Sequence, residues 1–317
     1  MIDRVLVVGG AGYIGGRLTD QLQDYGHDVT VFDILAYEER FLKQVPFVYG
    51  DIRDREKLLD LLPQFDTVVW LAAIVGDGAC AADPFLTQSI NADCVKWLVD
   101  NYDGRIVFTS TCSVYGANND LIDEDAQPNP LSIYAKTKLE AEQYILENAA
   151  DRSLMFRLGT LYGIGDEHSR IRLDLVVNIL AKRAACGEKL CVFGGDQWRP
   201  LIHVQDVADA IMYGIEHDCK GLYNLSIGNY RIRDIAEMIQ KVMPEAEIDF
   251  VDMPFEDQRN YRVKTDRWYE TSWRSDCTLE DGIREIVQVI QEDRIKNPGA
   301  PIYSNELYIE NQYRRWL

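Results

Sequence analysis

Val5-Leu-Val-Val-Gly-Gly-Ala-Gly-Tyr-Ile-Gly15 decides the fold of this chain. A short apolar, β-branched run ends in clustered glycines, and a helical pattern follows at once. Gly9, Gly12 and Gly15, with Gly10 extra, have the spacing of a strand–turn–helix corner that holds a phosphate. The first glycine permits the tight turn, and the second lets backbone N–H groups approach a pyrophosphate. The third brings the helix close to the strand, with the helix N-terminus facing the phosphate charge. A second apolar strand, Val29-Thr-Val-Phe32, ends at Asp33. That is about twenty residues beyond Gly12, where a carboxylate for an adenosine ribose is expected. Such an acid repels a 2′-phosphate, and Ile34-Leu35 places no cation beside it, so NAD rather than NADP is the expected cofactor. Arg40 and Lys43 lie farther along.

Outward from this corner, strands and helices alternate. Helical spacing runs from Gly12 to Tyr25, with Ile14, Leu18 and Leu22 on one face. Strands are expected at Val45–Tyr49, Thr67–Ala73, Arg105–Thr109 and Ser153–Arg157, and helices at Asp54–Leu62, Pro84–Asp100 and Ser132–Ala149. Asn118–Pro130 reads as loop, and Ser132 as a helix N-cap. The expected fold is α/β: a Rossmann-type doubly wound parallel sheet with a smaller, discontinuous C-terminal substrate domain. Residues 1–161 and 201–228 form the expected NAD-binding domain, and 162–200 and 229–317 the substrate domain. A helix at Asp206–His217 and a strand at Gly221–Ile227 return the chain to the first domain.

Composition narrows the function. With 317 residues and 47% hydrophobic content the chain can bury a sizeable core. A net charge of −19 repels phosphate backbones, so nucleic acid is not an expected partner. Seven cysteines in irregular spacing, with no Cys-x-x-Cys, suit free thiols in a reducing cytoplasm. Four histidines without ligand spacing give no expectation of a metal. No apolar run approaches a membrane span, and a strand at the very start leaves no room for a leader peptide.

The chemistry gathers on three residues. Tyr134 and Lys138 are four apart on a predicted helix and share one face. A free phenol, with a pKa of about 10, is a poor base at neutral pH. A nearby ammonium and an oxidised nicotinamide ring favour the phenolate; bringing it to ~7 needs ~4 kcal/mol. Thr111 lies at the end of the fifth strand, where open α/β sheets bind ligands. Its hydroxyl can hold the substrate oxygen that Tyr134 deprotonates. Together with the glycine turn, Thr111, Tyr134 and Lys138 describe a hydride-transfer site.

With these residues in view the chain resembles the extended short-chain dehydrogenase/reductase family, of the NAD-dependent nucleotide-sugar epimerase and dehydratase type. The resemblance runs from Gly9–Gly15 through Asp33, Asp51-Ile52, Leu71-Ala-Ala73, Thr111–Gly116, Tyr134–Lys138 and Arg157–Gly163. It continues through Arg199-Pro-Leu-Ile-His-Val-Gln-Asp206, Tyr223–Gly228 and Thr278–Ile283. It implies Tyr134 as general base and acid, Lys138 as its tuner and Thr111 as the residue that orients the sugar. The implied cofactor contacts are Gly9, Gly12, Tyr13, Ile14, Gly15, Asp33 at the ribose, Asp51 and Ile52 at the adenine, Leu71, Ala72 and Ala73, and Tyr134 and Lys138 themselves. The implied substrate contacts, besides Thr111, are Thr160, Asn178 and the arginines Arg172, Arg199 and Arg259. A homodimer through helices 84–100 and 132–149 is implied too, with Val95, Leu98, Leu139 and Ile145 available to core or interface. Leu71–Cys80 and Ser169–Asn178 resemble a narrower branch that includes bacterial oxidation at C4 of GDP-linked heptoses.

The departures matter. Cys112 and Ser113 stand where 4,6-dehydratases of the family carry an Asp-Glu pair, and neither replaces the acid and base that water elimination needs. Trp70 precedes Leu71 where relatives often have His, and Thr160 replaces a frequent Asn. The expected activity is oxidation of a sugar C4 hydroxyl on a GDP- or UDP-sugar, as a 4-epimerase or C4 dehydrogenase. A 4-ketoreductase of a deoxy-sugar nucleotide and a non-catalytic dinucleotide-binding regulator are the alternatives.

Overall fold

The computed structural model describes residues 2–38, 40–166, 168–251 and 260–312. The chain starts with β1 (Arg4–Val8), α1 (Tyr13–Asp24), β2 (Asp28–Asp33) and β3 (Phe47–Tyr49). Next come α2 (Arg55–Leu61), β4 (Thr67–Trp70), α3 (Asp77–Ala82), α4 (Pro84–Gln88) and α5 (Cys94–Asn101). β5 (Arg105–Thr111), β6 (Ala117–Ile122), α6 (Ile133–Asn148), β7 (Ser153–Leu158) and β8 (Thr160–Tyr162) follow. Then come α7 (Val176–Ala185), β9 (Leu190–Phe193), β10 (Trp198–His203), α8 (Val204–Glu216) and β11 (Gly221–Leu225). β12 (Gly228–Arg231), α9 (Ile232–Val242), β13 (Ile248–Val251), β14 (Asn260–Val263), α10 (Asp266–Tyr269), α11 (Leu279–Gln291) and α12 (Asn305–Gln312) follow in turn.

Seven strands form one sheet in the order β11–β7–β5–β4–β1–β2–β3, every neighbouring pair parallel. The strand order reverses at β1 and β4, which opens a crevice at their carboxyl ends. β1 reads as an unbroken apolar run because both of its faces are covered. Val5 and Val7 join the core under α1 and α8, with Leu18, Leu22, Val207 and Ile211. Leu6 and Val8 join the opposite core, with Leu58, Leu98 and Ile145. Each fully buried Val or Leu of this kind contributes roughly 1.5–3 kcal/mol. A third core gathers Tyr162, Leu180, Leu201, Ile235, Ile283 and Ile286 from β8, α7, β10, α9 and α11.

The glycine corner forms as its spacing requires. Gly9 has φ +88°, and a Cβ there would come within 2.6 Å of the Ala72 nitrogen. A Cβ on Gly15 would come within 2.5 Å of Gly10 Cα, so α1 packs on the strand only because that residue is glycine. Ser132 accepts from the Ala135 N–H at 3.2 Å and caps α6. Thr278 and Asp281 form a reciprocal capping box at the start of α11.

Two of the expected elements differ from the structure. Within the segment read as loop, residues 117–122 are β6, which pairs with β14. Ala-Asn-Asn-Asp-Leu-Ile carries no apolar alternation, because that strand is held through its backbone by residues far along the chain. The helix read at Pro84–Asp100 contains a wide π turn at Ser89–Asp93 between α4 and α5. Of the residues available to core or interface, Val95, Leu98 and Ile145 are buried in the core beneath the sheet, and Leu139 packs partly buried against the cluster of Cys112. Trp70 is fully buried as a core strand residue.

Candidate active site

A cleft of about 800 Å³ opens at the carboxyl ends of β1, β4 and β5 and extends to α7 and β10. That is near the upper end of the range for pockets that enclose small molecules. Every site residue named from the sequence within the described chain lines it, with one exception, Asn178. Arg259 lies outside the described residues.

At one end lies the dinucleotide corner. α1 starts at Gly12 with no side-chain cap and no acid in its first turn. Its first N–H groups therefore have no side-chain acceptor, the condition for binding an anion. Asp33 braces the turn: its two oxygens accept from the Leu35 N–H at 2.7 Å and the Ala11 N–H at 3.0 Å. Burial pushes its carboxyl above the ordinary range. Tyr13 and Ile14 line the wall after the turn, and the Tyr13 hydroxyl donates to the Gly163 carbonyl at 2.5 Å. Asp51 and Ile52 lie beyond Asp33, with Asp51 paired to Arg53 at 2.6 Å. Leu71, Ala72 and Ala73 face the turn from β4, where the Leu71 and Ala72 N–H groups donate to the Val8 carbonyl. These residues fit a dinucleotide, since a side chain at Gly9 would fill the cradle and the bare α1 terminus takes a diphosphate.

In the middle, β5 delivers Thr111 and α6 delivers Tyr134 and Lys138. Thr111 lies near enough to Tyr134 to favour its phenolate, and the Thr111 oxygen accepts from the Ser113 N–H at 3.1 Å. Lys138 is 2% exposed, with its ammonium nitrogen 4.0 Å from the centre of the Phe108 ring. Asn91, unremarked in the sequence, fixes the adjacent loop: it exchanges two hydrogen bonds with Ile74, at 2.8 and 2.9 Å.

The electrostatics differ from the expectation that the phenol falls toward neutrality. Burial is the largest influence on Tyr134 and pushes its phenol up, and Cys80 adds to this. Arg172 and Thr111 oppose it. Burial also dominates at Lys138 and pushes the ammonium down to about 7, against Glu142 and Cys80. Both groups lie in the same desolvated wall, and in the protein alone no cation outweighs that. The unfolded chain keeps the Lys138 proton to its ordinary 10.5, and the folded chain releases it near 7. Stability therefore rises with pH between those values, and the full cost is present below 7. Lys138→Met is expected to stabilise the protein by on the order of a few kcal/mol at pH 6 and by much less near pH 10. Urea unfolding at the two pH values checks this; an equal shift at both would contradict it.

Toward α7 and β10, Thr160 and Arg199 line the wall, and one Arg199 nitrogen donates to the Trp198 carbonyl at 2.8 Å. Arg172 also lines it, but its fork is taken by Asp174 at 3.0 and 3.2 Å. Asp174 accepts in turn from the Asn305 N–H at 2.8 Å. Asn178 corrects the sequence expectation: it is fully buried and spends its amide on Gly163 and Arg172 backbone groups. It faces inward from α7, where a polar residue tethers a loop instead of contacting a ligand. Cys112 is fully buried, its thiol donates to the Arg157 carbonyl at 3.1 Å, and burial pushes its pKa up. It supplies no acid or base. Among the described residues no group of side chains could hold a metal, and no helix is long and apolar enough to cross a membrane.

The sequence profile of the NAD dependent epimerase/dehydratase family matches residues 5–226. The chain belongs to that family. It is an NAD-dependent enzyme. It is similar to the UDP-glucose 4-epimerase of Corynebacterium glutamicum, 29% identical over 266 residues that cover 75% of this chain and 80% of the relative. Its fold is similar to the UDP-glucose 4-epimerase of Thermotoga maritima solved with UDP-glucose, at a TM-score of 0.81 and 23% identity over 92% of this chain and 99% of that one. It is also similar to the Thermus thermophilus UDP-glucose 4-epimerase solved with NAD, at 0.77 and 26% over 90% of this chain and 98% of that one.

Proposed function

We propose that this enzyme is a nucleotide-sugar 4-epimerase acting on a UDP-sugar. The observation that carries the reading is that Thr111, Tyr134 and Lys138 line one cleft with the glycine turn. The UDP-glucose 4-epimerases among its relatives favour UDP over GDP. Bound at the glycine turn, NAD would supply the hydride acceptor for the sugar C4, and inversion would follow from hydride return to the other face of the 4-keto sugar. Tyr134 takes the C4 hydroxyl proton as the ketone forms and gives it back as the alcohol is restored. Thr111 holds the same oxygen in line. Lys138, one turn along α6, favours the phenolate when it carries its charge. Arg199 and Thr160 face the substrate, and a guanidinium on β10 suits its diphosphate. Arg172 organises the wall through Asp174, and the diphosphate falls to other cations. With Cys112 buried and Ser113 held at 3.3 Å from the Tyr261 hydroxyl, water elimination has no acid–base pair.

We assign NAD mainly to residues 1–161 and 201–228, and the sugar nucleotide mainly to 162–200 and 229–317. We place the enzyme in the cytoplasm, in keeping with seven free cysteines. It works as a homodimer through α4–α5 and α6, whose outward apolar residues are Phe85, 90% exposed, and Leu146, 39% exposed. Light scattering at micromolar concentration should give twice the chain mass; a monomer rules the dimer out. The activity is tested with UDP-, GDP-, CDP- and dTDP-sugars, followed by product NMR and nicotinamide absorbance. Inversion at C4 of a UDP-sugar without net reduced cofactor is expected. Accumulating reduced cofactor with a keto product would make it a C4 dehydrogenase instead.

A further inference from the structure

The segment between β8 and α7 is fastened over the glycine turn. Besides the Tyr13–Gly163 bond, the Arg170 N–H donates to the Ala11 carbonyl at 3.3 Å. Lys43 pairs with Asp20 at 2.6 Å and with Asp166 at 2.5 Å, joining α1 to the segment. Gly16 of α1 has no side chain, and a Cβ there would come within 2.0 Å of Ser169 Oγ. These contacts place the Arg170 side chain in the wall of the cleft, 4% exposed.

Its guanidinium lies on Tyr37, with Cζ 3.1 Å from the ring centre. Its Nε and Nη2 have no hydrogen-bond partner. An arginine cannot shed its charge in a protein. A buried guanidinium with open N–H groups is costly unless an anion meets it. Glu38 and Asp174 both feel the Arg170 charge, but among the described residues neither makes an ion pair with it. Arg172, two residues on, is already paired to Asp174. The Arg170 backbone thus meets Ala11 in the glycine turn, and its guanidinium lies on Tyr37 in the wall of the same cleft, with N–H groups open to an anion.

We propose that Arg170 binds the diphosphate of NAD, completing from the β8–α7 segment the site that the glycine turn opens. The turn itself offers only backbone N–H groups, and Asp33 and Glu38 bring negative charge to the same end of the cleft. In a chain of net charge −19 a dianion needs such a cation close by. The planar fork suits two phosphate oxygens at once, and stacking on Tyr37 holds it ready. The assignment rests on NAD binding alone, so failure of the sugar panel leaves it standing.

The test measures affinities of NAD, ADP and adenosine for cofactor-stripped wild type, Arg170→Met and Arg170→Lys. Arg170→Met should weaken NAD and ADP by roughly ten- to a hundredfold and leave adenosine unchanged. Arg170→Lys, which keeps the charge but not the fork, should fall between. The stripped Arg170→Met protein should melt no lower than wild type, because it buries no unmet charge. Unchanged NAD affinity in both variants overturns the proposal. An equal loss for adenosine overturns it too, since Arg170 would then serve the ribose or the base.

Discussion

Tyr134→Phe is expected to lower kcat by about a hundred- to ten-thousandfold while NAD affinity and unfolding midpoint stay near wild type. The substitution removes one oxygen from a half-buried ring and leaves the packing of α6 intact. What it deletes is the hydroxyl that lines the cleft with Thr111 and, in the proposed reaction, moves the C4 proton. No other described side chain replaces it: Cys112 is buried on the Arg157 carbonyl, and Ser113 bonds to Tyr261. Kinetics on the best substrate of the panel, with cofactor titration and thermal melts in parallel, separate lost chemistry from lost structure. Turnover within a fewfold of wild type would remove Tyr134 from the mechanism.

Glu142→Ala is expected to have the largest effect on stability, about 3–5 kcal/mol. Glu142 is fully buried one turn beyond Lys138 on α6. It accepts three bonds from Arg157, two from Nε at 3.1 Å and one from Nη2 at 2.6 Å. Arg157 also donates to the Tyr115 hydroxyl at 2.7 Å and the Glu124 carbonyl at 3.1 Å. The alanine leaves a buried guanidinium without its counter-charge beneath the catalytic wall. Urea unfolding of Glu142→Ala, Arg157→Met and the double variant checks this. The double variant should be less destabilised than Glu142→Ala, because it removes the orphaned charge. Glu142 is also the largest influence holding up the Lys138 pKa. Its loss should push that ammonium lower still.

The parts of the fold that read clearly were those with strong local physics. β1 and β4 are apolar on both faces, and the glycine spacing admits one kind of corner. Ser132 and Thr278 start helices as caps should. β6 did not read, because its pairing with β14 depends on residues roughly 140 positions away and leaves no alternation behind. At the site, backbone-defined positions such as Gly9 and Asp33, and one-turn pairs such as Tyr134 and Lys138, were legible from spacing. Charge partners were not. Arg170 and Arg172 look alike in Ser-Arg-Ile-Arg, and only the structure gives Arg172 to Asp174 and leaves Arg170 open. Asn178 shares that run but spends its amide inward. The resemblance to a GDP-heptose branch rested on that run and on Leu71–Cys80. The chain is similar to UDP-glucose 4-epimerases, and the base is proposed on their side.

The central claim, reversible C4 oxidation within one cleft, is tested most directly with a UDP-sugar deuterated at C4. The account predicts a product inverted at C4 that keeps its deuterium, in ordinary water and without added reduced cofactor. An inverted product in which solvent hydrogen has replaced the deuterium, or deuterium that leaves on released cofactor while a keto sugar accumulates, would contradict it.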